Sequence, residues 1–103
     1  MQMANEFDIA KIITVSSAHI TEDTAQMLDN EPNTDKLNIS VYNKADYGWF
    51  IYIPEYLKER VGQGTDLPED LQRCLKTAID NNCEWLCIDC DGPEIDGLEK
   101  YSW

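Results

Sequence analysis

Two short stretches constrain the fold more than anything else in the chain. Leu37 to Asn43 reads LNISVYN, and apolar Leu37, Ile39 and Val41 alternate with Asn38, Ser40 and Tyr42. Trp49 to Ile53 reads WFIYI, with Trp49, Ile51 and Ile53 on one side and Phe50 and Tyr52 on the other. A period of two marks strands that bury one face. Only KADYG separates the stretches, and Pro54 follows, where its missing N–H ends a hydrogen-bond ladder. The two stretches form a β-hairpin. Whatever else the chain does, it must cover the side that carries Leu37, Ile39, Val41, Trp49, Ile51 and Ile53.

The flanking sequence supplies that cover. IAKIITVSS, from Ile9 to Ser17, is apolar and β-branched and predicts a strand. Thr21 suits an N-cap. Glu22 and Asp23 follow in the first turn, where carboxylates oppose the positive end of the helix dipole, and Ile20 and Ala25 stand at staple positions. A helix over 22–29 is expected. EPNTD, from Glu31 to Asp35, reads as a loop, and EYLKERVGQGTD after the hairpin reads as a long connection broken by two glycines. The strongest helical pattern comes next. Asp66 is a candidate cap, Pro68 lies in the first turn, and Leu71, Cys74, Leu75, Ala78 and Ile79 share one face up to Asn81 and Asn82. EWLCID reads as the last strand, and 89–103 as a turn-rich acidic tail packing on the sheet. The order βαββαβ predicts an α+β ferredoxin-like fold, a four-stranded sheet with two helices on one face. With 103 residues, 1–103 reads as a single domain.

Two helices on one face leave the other face to Tyr42, Phe50, Tyr52 and Trp85. A patch of this kind marks a surface for self-association or a partner. The competing expectation is that the tail folds over it and buries Tyr101 and Trp103 there.

Twenty acidic residues stand against eight basic ones, a net charge of −12. Duplex DNA carries one charge per ~1.7 Å, so twelve charges match about 20 Å of duplex. A globule of this size spans roughly 30–35 Å. The chain therefore carries on the order of half the linear charge density of DNA, which disfavours direct binding to nucleic acid or an anionic membrane and favours a partner with a basic groove. Solubility alone is the simpler account of the same charge. The sheet aromatics resemble those of RNA-binding folds, but the basic flanks such folds need are missing. No apolar run approaches the ~18 residues of a membrane span. MQMANEFDIAK has neither the basic nor the apolar region of a signal peptide, so a cytoplasmic location is expected.

Four cysteines, Cys74, Cys83, Cys87 and Cys90, would stay reduced there. Cys83, Cys87 and Cys90 with a carboxylate form a candidate metal set, but zinc needs four ligands, and a strand would point Cys87 and Cys90 to opposite faces. A redox Cys-x-x-Cys belongs at a helix N-terminus, whereas this one sits beside Asp89 and Asp91, which oppose thiolate formation. Buried thiols acting as small apolar groups are the expected reading, with no metal and no cofactor. Asp89 to Gly97 fits a calcium loop poorly, since Pro93 takes a ligand position. His19 beside Ser16 and Ser17 lacks an orienting third group, and no phosphate loop or nucleophile elbow is present, so no catalytic residue is assigned.

ITVSSAHITEDTAQMLDNE, YGWFIYI, LPEDL and WLCIDCDGPEIDGLEKYSW resemble a small bacterial family of unknown function. The resemblance covers nearly the whole chain. It implies carriage on plasmids, prophages and other mobile elements, sometimes near antirestriction genes, and brings no activity or catalytic residue with it.

The expected function is that of a non-enzymatic acidic binding protein that mimics nucleic acid and inhibits a host defence complex of the restriction or CRISPR type. Its partner would be a basic nucleic-acid-binding protein. Two groups of acids are candidates for the contact: Glu22, Asp23, Asp29, Glu31 and Asp35, and then Asp89, Asp91, Glu94, Asp96 and Glu99. Each would take the place of a phosphate opposite Arg or Lys. The alternatives are a homodimer or interaction module built on Tyr42, Phe50 and Tyr52, and, third, a cysteine-based metal protein.

Overall fold

The computed structural model describes residues 7–63 and 65–103. Residues 1–6, on which the signal-peptide reading partly rests, and Gly64 of the long connection lie outside the described residues. Strand β1 is Ile12–Ser16, β2 Ser40–Lys44, β3 Gly48–Tyr52 and β4 Trp85–Asp89. Helices α1 to α4 are Glu22–Leu28, Glu31–Lys36, Glu55–Gly62 and Glu69–Asp80, and a short 3-10 turn covers Ser17–His19. The hairpin of β2 and β3 forms, with Val41 opposite Ile51 and Tyr42 opposite Phe50, but β2 begins at Ser40, and Leu37, read as its first inward residue, caps the C-terminus of α2 instead.

The strands make one sheet in the order β1-β4-β3-β2. β1 and β4 are parallel, and the other pairs are antiparallel. The α+β class stands, but the ferredoxin-like arrangement does not. In that arrangement β1 would lie between β3 and β4, with all neighbours antiparallel. The reason lies in two features of the chain. Leu86, Cys87, Ile88 and Asp89 of β4 are all buried, so β4 takes an interior position with a strand on each edge. β1 begins exposed and takes the rim. Moreover, the stretch read as a long connection contains α3. A single crossover helix would return β4 parallel to β3. Two helices, α3 and α4, packed on each other bring the chain back to the end where β3 finishes. There the Ile53 N–H, just after β3, donates to the Glu84 carbonyl, just before β4.

Four helices, not two, therefore cover the core face. Leu28, Leu57, Leu71, Leu75 and Ala78 pack on Val15, Ile51, Leu86 and Ile88. EPNTD is not a loop but most of α2. Asn30 caps it by accepting the Asn33 N–H, and Pro32 sits in the first turn, where its missing N–H costs nothing. Asp66 does not cap α4; Pro68 holds that position without a side-chain bond. Asp70, in the first turn, is buried instead. It accepts the Thr21 N–H (2.7 Å) and the Thr24 hydroxyl (2.9 Å), and so ties α4 to the N-terminus of α1.

The acidic tail docks on the rim of the sheet and on the helix side. Ser16 donates to the Pro93 carbonyl, Tyr101 to the Ala18 carbonyl, and Trp103 Nε1 to the Ile20 carbonyl. His19, 2% exposed, fastens the loop between Ile95 and Glu99 with both ring nitrogens. Ile95 and Leu98 pack against the core.

Candidate functional site

The sheet face opposite the helices carries three rows of residues. Ile12, Trp85, Tyr52 and Ser40 form one, Thr14, Cys87, Phe50 and Tyr42 the next, and Ser16, Asp89, Gly48 and Lys44 the last. Tyr42 and Tyr52 tilt against Trp85, with ring centroids 5.9 and 5.1 Å away. Ile12, Tyr42 and Tyr52 are exposed, and Phe50 and Trp85 are half-buried. With Ala10, they line a shallow groove of about 430 Å³. The hydrogen bonds of the tail all go elsewhere, so among the described residues this apolar face is uncovered. The expected aromatic patch is present, and Tyr101 and Trp103 lie apart from it.

The two acidic groups fare differently. Lys58 pairs with Glu55, Arg60 with Asp66, Arg73 with Glu69 and Glu99, Lys76 with Asp80, Lys100 with Glu94, and Lys44 with Asp89. Exposed pairs of this kind stabilise little, ~0–1 kcal/mol, but they neutralise charge where they stand. The second group thus has Asp89, Glu94 and Glu99 engaged. Asp89 is not a free surface acid: it is buried, bonded to Lys44, and accepts the Asp91 N–H at 2.7 Å. The Lys44 ammonium, then that N–H, hold its carboxyl below the usual carboxylate range. Asp91 and Asp96 are exposed and make no ion pair among the described residues. In the first group Glu22, Asp23, Asp29, Glu31 and Asp35 are all exposed, and none enters an ion pair among the described residues. Asp29 alone has an inward partner, accepting Trp49 Nε1–H at 2.7 Å. The α1–α2 segment is thus the least neutralised acidic stretch, with Lys36 its one base.

Glu22 and Asp29 of the first group border a cleft of about 530 Å³, where β1 and β4 end beside the hairpin turn. Glu22 and Gln26 of α1, Asp29 at its C-terminal cap, Asn43 and Asp46, Tyr47, Trp49, Cys90 and Trp103 line it. Tyr47 and Asp46 did not stand out in the sequence as site residues, Cys90 was read only as a candidate metal or redox thiol, and Trp103 only as a tail residue to be buried on the sheet. Only the turn composition of KADYG marked the first two as projecting.

Asp89, Cys90 and Asp91 are the one metal-like grouping among the described residues. Lys44 already occupies Asp89, so the set offers a cation little. Cys74, Cys83 and Cys87 are buried and Cys90 is exposed, all as free thiols. Burial, with Asp70 nearby, pushes the Cys74 thiol up to about 12, which leaves it inert at neutral pH. No helix among the described residues is long and apolar enough to cross a membrane.

Residues 12–103 match the C-terminal domain of a family of unknown function, DUF5983, and the chain belongs to that family. No curated protein and no solved structure matches it.

Proposed function

Membership of that family brings no assigned activity, and from the chain's own geometry we propose a non-enzymatic binding protein that presents α1 and α2 to a basic groove. The partner is a nucleic-acid-binding protein, and the acids take the places of phosphates. A mobile-element origin and a restriction or CRISPR complex as target fit this reading. One observation carries it: six of the eight bases pair with acids elsewhere, while among the described residues Glu22, Asp23, Asp29, Glu31 and Asp35 go without ion pairs along the α1–α2 segment.

The test compares four-fold neutralised protein (Glu22→Gln, Asp23→Asn, Glu31→Gln, Asp35→Asn) with Asp91→Asn/Asp96→Asn protein as baits in bacterial lysate. The wild type should retain a nucleic-acid-binding complex that duplex DNA or salt releases. The α1–α2 variant should lose it and the tail variant should keep it. Equal, small losses from both variants would sink the reading.

A second reading rests on a separate observation, the uncovered aromatic face. It makes the chain a homodimer or interaction module through Tyr42, Phe50 and Tyr52, and is compatible with the first because the two surfaces are distinct.

A further inference from the structure

The cleft between α1 and the hairpin turn differs from the rest of the acidic surface in its walls. Tyr47 and Trp103 are each more than half exposed, at 54% and 58%, and both line it. Two exposed aromatic rings beside Glu22, Asp29 and Asp46, with no base in the lining, combine π-faces and carboxylates in one concavity. The walls are also fixed. Trp103 is anchored by its Nε1–H on the Ile20 carbonyl at 2.9 Å, and the tail behind it by His19 and by the Tyr101 N–H on Ala18. Trp49, nearly buried, holds Asp29 through one carboxylate oxygen and leaves the other for a ligand. The volume falls in the range of ligand pockets, ~300–1,000 Å³.

We propose that this cleft is a socket for one arginine side chain of the partner. The guanidinium plane stacks on Tyr47 and Trp103, and its N–H fork meets the carboxylates of Asp29, Glu22 and Asp46. Arginine suits this better than lysine. Its planar cation stacks on rings, is weakly hydrated, and presents donors in a fork that matches carboxylates, whereas an ammonium is a compact and strongly hydrated point charge. The inference rests on the proposed reading of a basic partner and adds to it a single specific anchor. A flat acidic surface would attract any cation equally. This cleft selects by shape.

Hexa-arginine and hexa-lysine peptides of equal charge serve as probes, titrated at fixed salt and followed by tryptophan fluorescence. Alkylation of Cys90 gives a second readout, since it is the one exposed thiol and lines the cleft. Hexa-arginine should bind roughly fivefold to tenfold more tightly and slow Cys90 alkylation. Tyr47→Ala and Trp103→Ala should each erase that preference while leaving hexa-lysine binding unchanged. Glu31→Gln/Asp35→Asn, away from the cleft, should weaken both peptides alike and keep their ratio. If the peptides bind equally and the aromatic variants change nothing, the socket is overturned while the acidic-surface reading survives. If neither peptide binds at low salt, both fall together.

Discussion

Lys44 on β2 reaches Asp89 on β4 across the strand that separates them. The register explains how: the row runs Lys44, Gly48, Asp89, and the middle residue has no side chain to block the way. A charge pair thus spans the hairpin and the central strand on the apolar face, with the Lys44 ammonium also 5.8 Å from the Phe50 ring centre.

The pair sets a pH window. Asp89 sits below its ordinary value of 3.8, so its contribution is present above that pH and is lost as pH falls through the lower folded value. Lys44 is raised above 10.5, mainly by its bond to Asp89, so its contribution is present below 10.5 and is lost as pH rises through the higher folded value. Denaturant unfolding of wild type and Lys44→Met across pH should therefore show a stability gap that is largest near neutrality. The gap should close below about pH 4 and above about pH 10.5. A gap that stays constant with pH would mean that Lys44 acts only through its aliphatic stem.

Gly48 carries a second consequence. A Cβ built there would collide with the Ile88 carbonyl oxygen and press on the Asp89 backbone. Gly48→Ala should cost about 1–3 kcal/mol in urea unfolding, the range of overpacked sites. Gly62→Ala, where nothing lies within 4 Å of the new methyl, should show no such loss and serves as the control. Similar behaviour of the two variants would show that β3 and β4 separate easily at this row.

The hairpin was legible because its alternation is local, and α4 because Leu71, Cys74, Leu75 and Ala78 repeat at helical spacing over about two turns. α2 and α3 were not. α2 has six residues with Thr34 its only buried one, and α3 buries only Leu57, so neither writes a stripe into the sequence. The strand order was missed for a related reason. It depends on β4 lying inside the sheet with all but its first residue buried, and Cys87 and Asp89 do not announce burial as a second valine or leucine would. Among the candidate acids, exposure followed from residue type, but ion pairing did not. The contacts of Arg73 with Glu99 and of Lys44 with Asp89 join residues far apart in sequence, and only the fold brings them together.

The aromatic face gives a prediction that separates it from the acidic surface. If copies of the chain associate through it, sedimentation should show a dimer that persists or strengthens with salt, since apolar burial does not weaken as charges are screened. Phe50→Asp or Tyr52→Asp should return it to the monomer without unfolding it, because both side chains lie on the uncovered side. A wild type that remains monomeric at high concentration would exclude this surface as a dimer interface.

The tail depends on one imidazole. The Ile95 N–H can only donate, so His19 Nε2, 2.8 Å away, must accept, and the proton must sit on Nδ1, which donates to the Glu99 carbonyl, also at 2.8 Å. No other neutral arrangement satisfies both backbone groups. His19→Phe keeps a ring in the space but leaves a part-buried N–H and carbonyl without partners, a loss of ~1–3 kcal/mol. The consequence should be local. Amide exchange at Ile95 and Tyr101 should speed up roughly tenfold or more, while Leu86 and Ile88 in the central strand stay protected. The Trp103 wall of the cleft should loosen with the tail, and Cys90 should alkylate faster. Uniform acceleration across β4 and the tail would instead make His19 a core residue whose loss unfolds the whole chain.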